Sequence, residues 1–233
     1  MEAELRPSIL LVHGAWHGAW CWEPLRELLV AAGNRVEAVD LPTVHAPDAA
    51  ELGMDADAGA VADAVAAIDG EVVVVGHSYG GVPTTVGATS PRVRHVVYIA
   101  AFALDEGESL FATVGGVQPD WWSRDGEMVS AGAPDHRPQD LFYGDVEQAL
   151  ADASVAKLRP QAMRAFTDPV SAVAWRDRPT TYIVTEQDAV FPVEAQEALA
   201  ARSHSTVQRL ATSHSPFLSQ PRAVAEIIRG VVG

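Results

Sequence analysis

Cysteine is nearly absent. Cys21 is the only one in 233 residues, so no intrachain disulfide can form, which suits a reducing compartment. Basic residues are also few: 16 Lys and Arg stand against 31 Asp and Glu, a formal net charge of −15. Nucleic acid and anionic membrane are therefore poor partners, because binding phosphate needs clustered positive charge. No apolar run approaches the length of a membrane span, and MEAELRPS lacks the basic and apolar regions of a secretory signal. A cytoplasmic protein is the expectation. Disorder is excluded by composition, with 48% apolar and only 20% charged residues. The length fits one domain over residues 1–233 with a sizeable core. Oligomeric state is not legible.

What is present is an alternation of short apolar runs with helical patterns. SILLVHG (8–14), RVEAVDLP (35–42), EVVVVG (71–76), VRHVVYIAAF (93–102), TTYIVTEQD (180–188) and VQRL (207–210) read as strands. Residues 21–33, 56–70, 80–90, 194–203 and 221–232 read as helices, the first two stopped by Gly33 and Gly70. EVVVVG is apolar on both faces, the pattern of a central strand in a parallel sheet. The fold class is therefore α/β, a mostly parallel central sheet with helices on both faces and right-handed crossovers. The alternation stops over residues 103–178, rich in Asp, Gly, Pro and Trp; a small cap inserted over one end of the sheet is expected there.

Between the four-valine strand and the next helix lies Gly76-His77-Ser78-Tyr79-Gly80, a G-x-S-x-G turn. Such a turn is sharp and strained. Small residues at 76 and 80 let strand and helix approach, and the serine oxygen projects above the sheet. The bland alternative is a glycine-rich turn in which Ser78 caps the helix. A serine hydroxyl needs a base to become a nucleophile, and in this setting an acid and then a histidine should follow it in the chain. Asp188, in QDAVFP, and His214, in TSHSPF, stand just past two strands and fit that order. Glu186 and Asp105 are rivals for the acid; Asp188 is favoured by its position. The backbone N–H of Tyr79 starts the helix, where an oxyanion is stabilised.

The loop HGAWHGAWCW (13–22) follows the first strand and can aim a second N–H at the oxyanion, with Ala15 the candidate donor and Gly14 leaving the approach open. Trp20 and Trp22 read as core packing. His13 and His17 flank a loop and have no acidic or thiolate ligand near them in sequence, so no metal site is expected. His95 and His204 are poorly placed, and His45 and His136 read as solvated loop residues.

Taken together, LLVHGAWHGAWCW, VVVVGHSYGG, TEQDAVFP and SHSPFLSQP resemble the α/β-hydrolase superfamily. Within it the chain is similar to the small cofactor-free branch holding plant methylesterases and hydroxynitrile lyases, with weakest likeness over residues 103–160. The resemblance implies a Ser78–Asp188–His214 triad, an oxyanion hole at Ala15 and Tyr79, and no cofactor. The plant lyases carry a threonine where this chain has Gly14 and a lysine where it has Ser215, so the resemblance points to hydrolysis. His77 before the serine also matches the esterase form. A small-molecule ester is then the expected partner, the alternatives being lyase chemistry or a binding protein on a hydrolase scaffold. Trp121 and Trp122 are consecutive, so either one of them lines the pocket or both pin the cap to the core. Phe166 and Phe217 are further pocket candidates, and an aromatic pocket would favour a neutral hydrophobic ester.

Overall fold

Burial on both faces decides the sheet. A computed structural model describes residues 6–233. Its strands are β1 (Ser8–Val12), β2 (Val36–Val39), β3 (Val72–His77), β4 (Val93–Ile99), β5 (Trp122–Asp125), β6 (Met128–Ala131), β7 (Gln161–Ala162), β8 (Thr180–Thr185) and β9 (Thr206–Leu210). Six of them form one sheet in the order β2-β1-β3-β4-β8-β9, and every pairing in it is parallel. Every residue of β1, β3 and β8 is buried, as expected of strands covered on both faces. The edge strand β9 is exposed along most of its length. Chain order reverses between β1 and β3, which places a crevice at the carboxyl ends of these two strands.

The helices fall close to their expected ranges. The segment read as 21–33 begins as a 3-10 turn, Ala19–Trp22, and continues as an α-helix over Glu23–Ala31 with proline in its first turn. The alanine-rich helix is Met54–Ala67, and the one after the serine is Gly81–Gly87. Gly80 is required by packing: a Cβ there would lie 2.4 Å from the carbonyl oxygen of His13 at the end of β1. The strand read over 180–188 stops at Thr185, and the next residues turn away carrying Asp188. Among the described residues, no helix is long and apolar enough to cross a membrane.

Residues 103–178, termed the cap below, hold more regular structure than the sequence suggested. β5 and β6 form a hairpin closed by Gly126-Glu127, with Gly126 at φ +57°, and β7 pairs on the other side of β6. Short helices, Pro138–Phe142 and Gln148–Val155, lie between β6 and β7. The two-residue β7 carries almost no pattern of its own. It is a strand because the distant β6 pairs with it.

Candidate active site

β3 runs straight into the serine turn. Ser78 has φ +53°, a left-handed conformation that a residue with a side chain adopts only when its surroundings hold it there. They do: the Ser78 carbonyl accepts the N–H of Phe102 at 3.2 Å, and Cβ atoms at Gly76 or Gly80 would clash with the turn or with β1. The turn lifts the hydroxyl towards the loop after β9. There His214 Nε2 lies 2.9 Å from Ser78 Oγ, and His214 Nδ1 lies 2.7 Å from Asp188 Oδ2. The expected Ser78, His214 and Asp188 thus form one hydrogen-bonded row. Both rivals for the acid are engaged elsewhere, Asp105 with Arg176 and Glu186 with Arg209.

Asp188 is fixed by its own loop. Its Oδ1 accepts the N–H groups of Val190 and Phe191, each at 2.8 Å, and its Oδ2 also accepts Thr185 Oγ1–H at 2.7 Å. Burial pushes its pKa up, but the attraction of His214 and the bonds from His214, Phe191 and Thr185 outweigh it and hold the carboxyl below its ordinary value. Gln196 braces the same loop, donating to the carbonyl of Phe191 at 2.7 Å and accepting Thr185 N–H at 3.0 Å. His77 ties the serine turn to the histidine loop, with its Nε2 2.9 Å from the carbonyl oxygen of His214. Burial first, and then the neighbouring His214 and His17, lower the His77 pKa far below the usual imidazole range, so the ring is neutral and Nε2–H is the donor.

Above this row lies a cavity of about 670 Å³. Ala15, Ser78, Tyr79 and His214 stand together on its wall. Trp16 is the hub of an aromatic cluster here, with Trp121, Phe166, Trp122 and Phe142 at ring separations of 5.5, 5.6, 5.7 and 5.8 Å. Both Trp121 and Trp122 line the cavity: their rings lie 5.9 Å apart, edge to face, and each meets Trp16 edge-on. Phe166 lines it too. Phe217 does not: it is fully buried, its ring tilted against Trp22 at 4.4 Å and edge-on to His77 at 4.8 Å. Gly14 is likewise absent from the wall. A Cβ there would sit 2.7 Å from His77 Nδ1 and 3.0 Å from Ser78 Cβ, so the glycine lets the loop pack on the serine turn and does not open an approach.

Sequence reasoning passed over Trp16, Phe102, Phe142 and Phe191, all on the cavity wall. Phe102 and Phe191 sit beside recognised features, one just past β4 and one three residues after Asp188, and proximity to strand ends could have marked them. The histidines also moved. His13 gains an acidic neighbour that sequence spacing hid: Asp40 and His45 come beside it, with their ligand atoms within 4.8 Å of one another. A cation does not fit, because His13 Nδ1–H donates to Gly14 and its Nε2 accepts Leu41 N–H, leaving no lone pair. His45, half-buried and not solvated, contacts the carbonyl of His17 at 2.9 Å.

The fold has relatives among known proteins. The model of the alpha/beta hydrolase family matches residues 9–227. The chain is 28% identical over 255 residues to polyneuridine aldehyde esterase of Rauvolfia serpentina, covering 97% of this chain and 96% of that one. It is 24% identical over 243 residues to methylesterase 9 of Arabidopsis thaliana, covering 93% and 94% of the two chains. Among solved structures, a pyrethroid hydrolase from Sphingobium faniae JZ-2 superposes with a TM-score of 0.84 at 25% identity, over 97% of each chain.

Proposed function

This chain belongs to the alpha/beta hydrolase family, and from that premise we propose that it is a serine carboxylesterase acting on a small, neutral, hydrophobic ester. The observation that carries the reading is the row Ser78–His214–Asp188 opening onto an apolar, aromatic-walled cavity. Relatives named as esterases and a pyrethroid hydrolase support ester cleavage as the chemistry.

In this reading Ser78 Oγ attacks the ester carbonyl carbon while its proton passes to His214 Nε2. Asp188, ionised and accepting from Nδ1–H, keeps the histidine in the tautomer whose Nε2 is free to take that proton. The carbonyl oxygen becomes an oxyanion and accepts the backbone N–H groups of Ala15 and Tyr79. Among the described residues the Ala15 N–H makes no backbone hydrogen bond, and the Tyr79 N–H opens a helical turn, where no earlier carbonyl is in reach. Collapse expels the alcohol, which takes the proton from Nε2. Water then repeats the sequence on the acyl-serine and returns the enzyme. The aromatic wall favours apolar groups. Arg202 reaches the cavity paired with Glu108 at 2.6 Å, so its charge is offset there by a carboxylate. Lyase chemistry is less favoured, because the uncharged, buried Ser215 follows the histidine where the plant lyases have lysine.

The test is Ser78→Ala with p-nitrophenyl butyrate as substrate and a fluorophosphonate probe. Turnover and labelling should both vanish while the circular dichroism spectrum is unchanged. Retained turnover would refute the reading.

A further inference from the structure

Trp16 has φ +63°, a left-handed backbone next to the Ala15 N–H proposed as an oxyanion donor. Its backbone is held from the cap at both ends. Trp16 N–H donates to Gln161 Oε1 at 3.1 Å, and its carbonyl accepts Arg159 N–H at 3.0 Å. The indole N–H donates to the carbonyl of Val129 at 2.9 Å.

The contact with Gln161 continues inward. Gln161 Nε2–H donates to Thr43 Oγ1 at 2.9 Å, and Thr43 Oγ1–H donates to Asp57 Oδ2 at 2.6 Å. Thr43 N–H reaches Asp57 Oδ1 at 2.9 Å, and Tyr79 O–H reaches Asp57 Oδ2 at 2.6 Å. Tyr79 supplies the other proposed oxyanion donor. The chain Trp16–Gln161–Thr43–Asp57–Tyr79 therefore joins the two loops that carry those donors. Every member is at most 4% exposed. Each proton that links one member to the next has one acceptor, and the Trp16 N–H fixes the orientation of the Gln161 amide. A fully satisfied buried network of this kind fixes one geometry.

We propose that Gln161, Thr43 and Asp57 are positioning residues that set the spacing of the Ala15 and Tyr79 N–H groups around the oxyanion. None of them lines the cavity. The inference rests on the reading of Ser78 as nucleophile and of these two N–H groups as its oxyanion donors. Such donors act only if their geometry is preorganised for the charge that develops, so loosening the link should weaken transition-state binding more than substrate binding.

The decisive variant is Thr43→Val, which keeps the shape and removes the hydroxyl, with Thr43→Ser as the conservative rescue. Tyr79→Phe cuts the same chain elsewhere, and it decides the matter if Thr43→Val does not fold. Ile228→Ala, buried in the C-terminal helix Pro221–Val232, is the control for general destabilisation. In Thr43→Val, kcat should fall at least about ten-fold with KM within about two-fold of wild type. Affinity for a trifluoromethyl ketone, whose adduct with Ser78 bears an oxyanion, should fall by the same factor, and that for the matching methyl ketone should stay put. Thr43→Ser should recover most of the loss. Unchanged kcat in Thr43→Val and Tyr79→Phe would overturn the proposal, as would an equal loss in Ile228→Ala or an equal weakening of both ketones. Active Ser78→Ala would instead refute the underlying reading. Inactive Ser78→Ala beside fully active Thr43→Val and Tyr79→Phe would refute only the positioning role.

Discussion

His77 Nε2–H donates to the carbonyl oxygen of His214 at 2.9 Å, so the residue before the serine fastens the loop that carries His214. The two rings also pack, with centroids 4.7 Å apart. Replacing His77 with Gln keeps a donor, and replacing it with Leu does not. His77→Leu should lower kcat on p-nitrophenyl butyrate by about ten-fold or more through misplacement of His214. His77→Gln should retain more of the rate. Steady-state kinetics on the two variants checks this, and equal rates would mean the hydrogen bond does not position the base.

Asp57 makes stability fall as pH rises. Burial lifts its pKa from 3.8 to about 6, against the opposing pull of the bonds from Thr43 and Tyr79. Between those values the folded protein keeps the proton and the unfolded chain has released it. Raising pH through this window therefore favours unfolding, and the loss is complete above about 6. Two units correspond to roughly 3 kcal/mol. Urea melts at pH 4 and pH 7 should show wild type losing this much relative to Asp57→Asn, which has no proton to lose. Asp188 works in the opposite sense: its lowered pKa adds stability at neutral pH that disappears in acid, and Asp57→Asn leaves that acid limb in place.

If the proposed esterase binds its substrate in the cavity, wall residues should govern substrate preference and the residues behind them stability. Trp121 lines the cavity and packs on Trp16, whereas Phe217 lies behind His77. Trp121→Ala should raise KM for a phenyl or naphthyl ester by about ten-fold, matching a loss of 1–2 kcal/mol of aromatic contact, with a smaller effect on an acetate of a short alcohol. Phe217→Leu should lower the melting temperature and leave the ranking of substrates unchanged. Measured KM values across an ester panel distinguish the two.

The parallel sheet and the serine row were legible because their signals are local. VVVVGHSYGG carries strand, turn and helix within a few residues, and Asp188 and His214 stand just past strands that announce themselves. The cap sheet was not, since β7 exists only through pairing with β6 some thirty residues earlier in the chain. Phe217 misled for a similar reason. It lies three residues from His214, but the short helix Pro216–Ser219 turns its ring onto His77 and Trp22. Asp57 gave no sign at all: an acid in an alanine-rich helix reads as solvated, and only the fold brings Thr43 and Tyr79 onto it, with Gln161 behind Thr43.

The three holds on Trp16 bear on how the specificity of this protein could be re-engineered. The obvious cut points for grafting a foreign segment are the two ends of residues 103–178. A graft made there removes Val129, Arg159 and Gln161 along with the wall. An inactive chimera of that kind would report on the loop after β1 and not on its new substrate. Exchange limited to residues 103–121 alters the wall through Leu110 and Trp121 and leaves the hairpin and all three anchors in place.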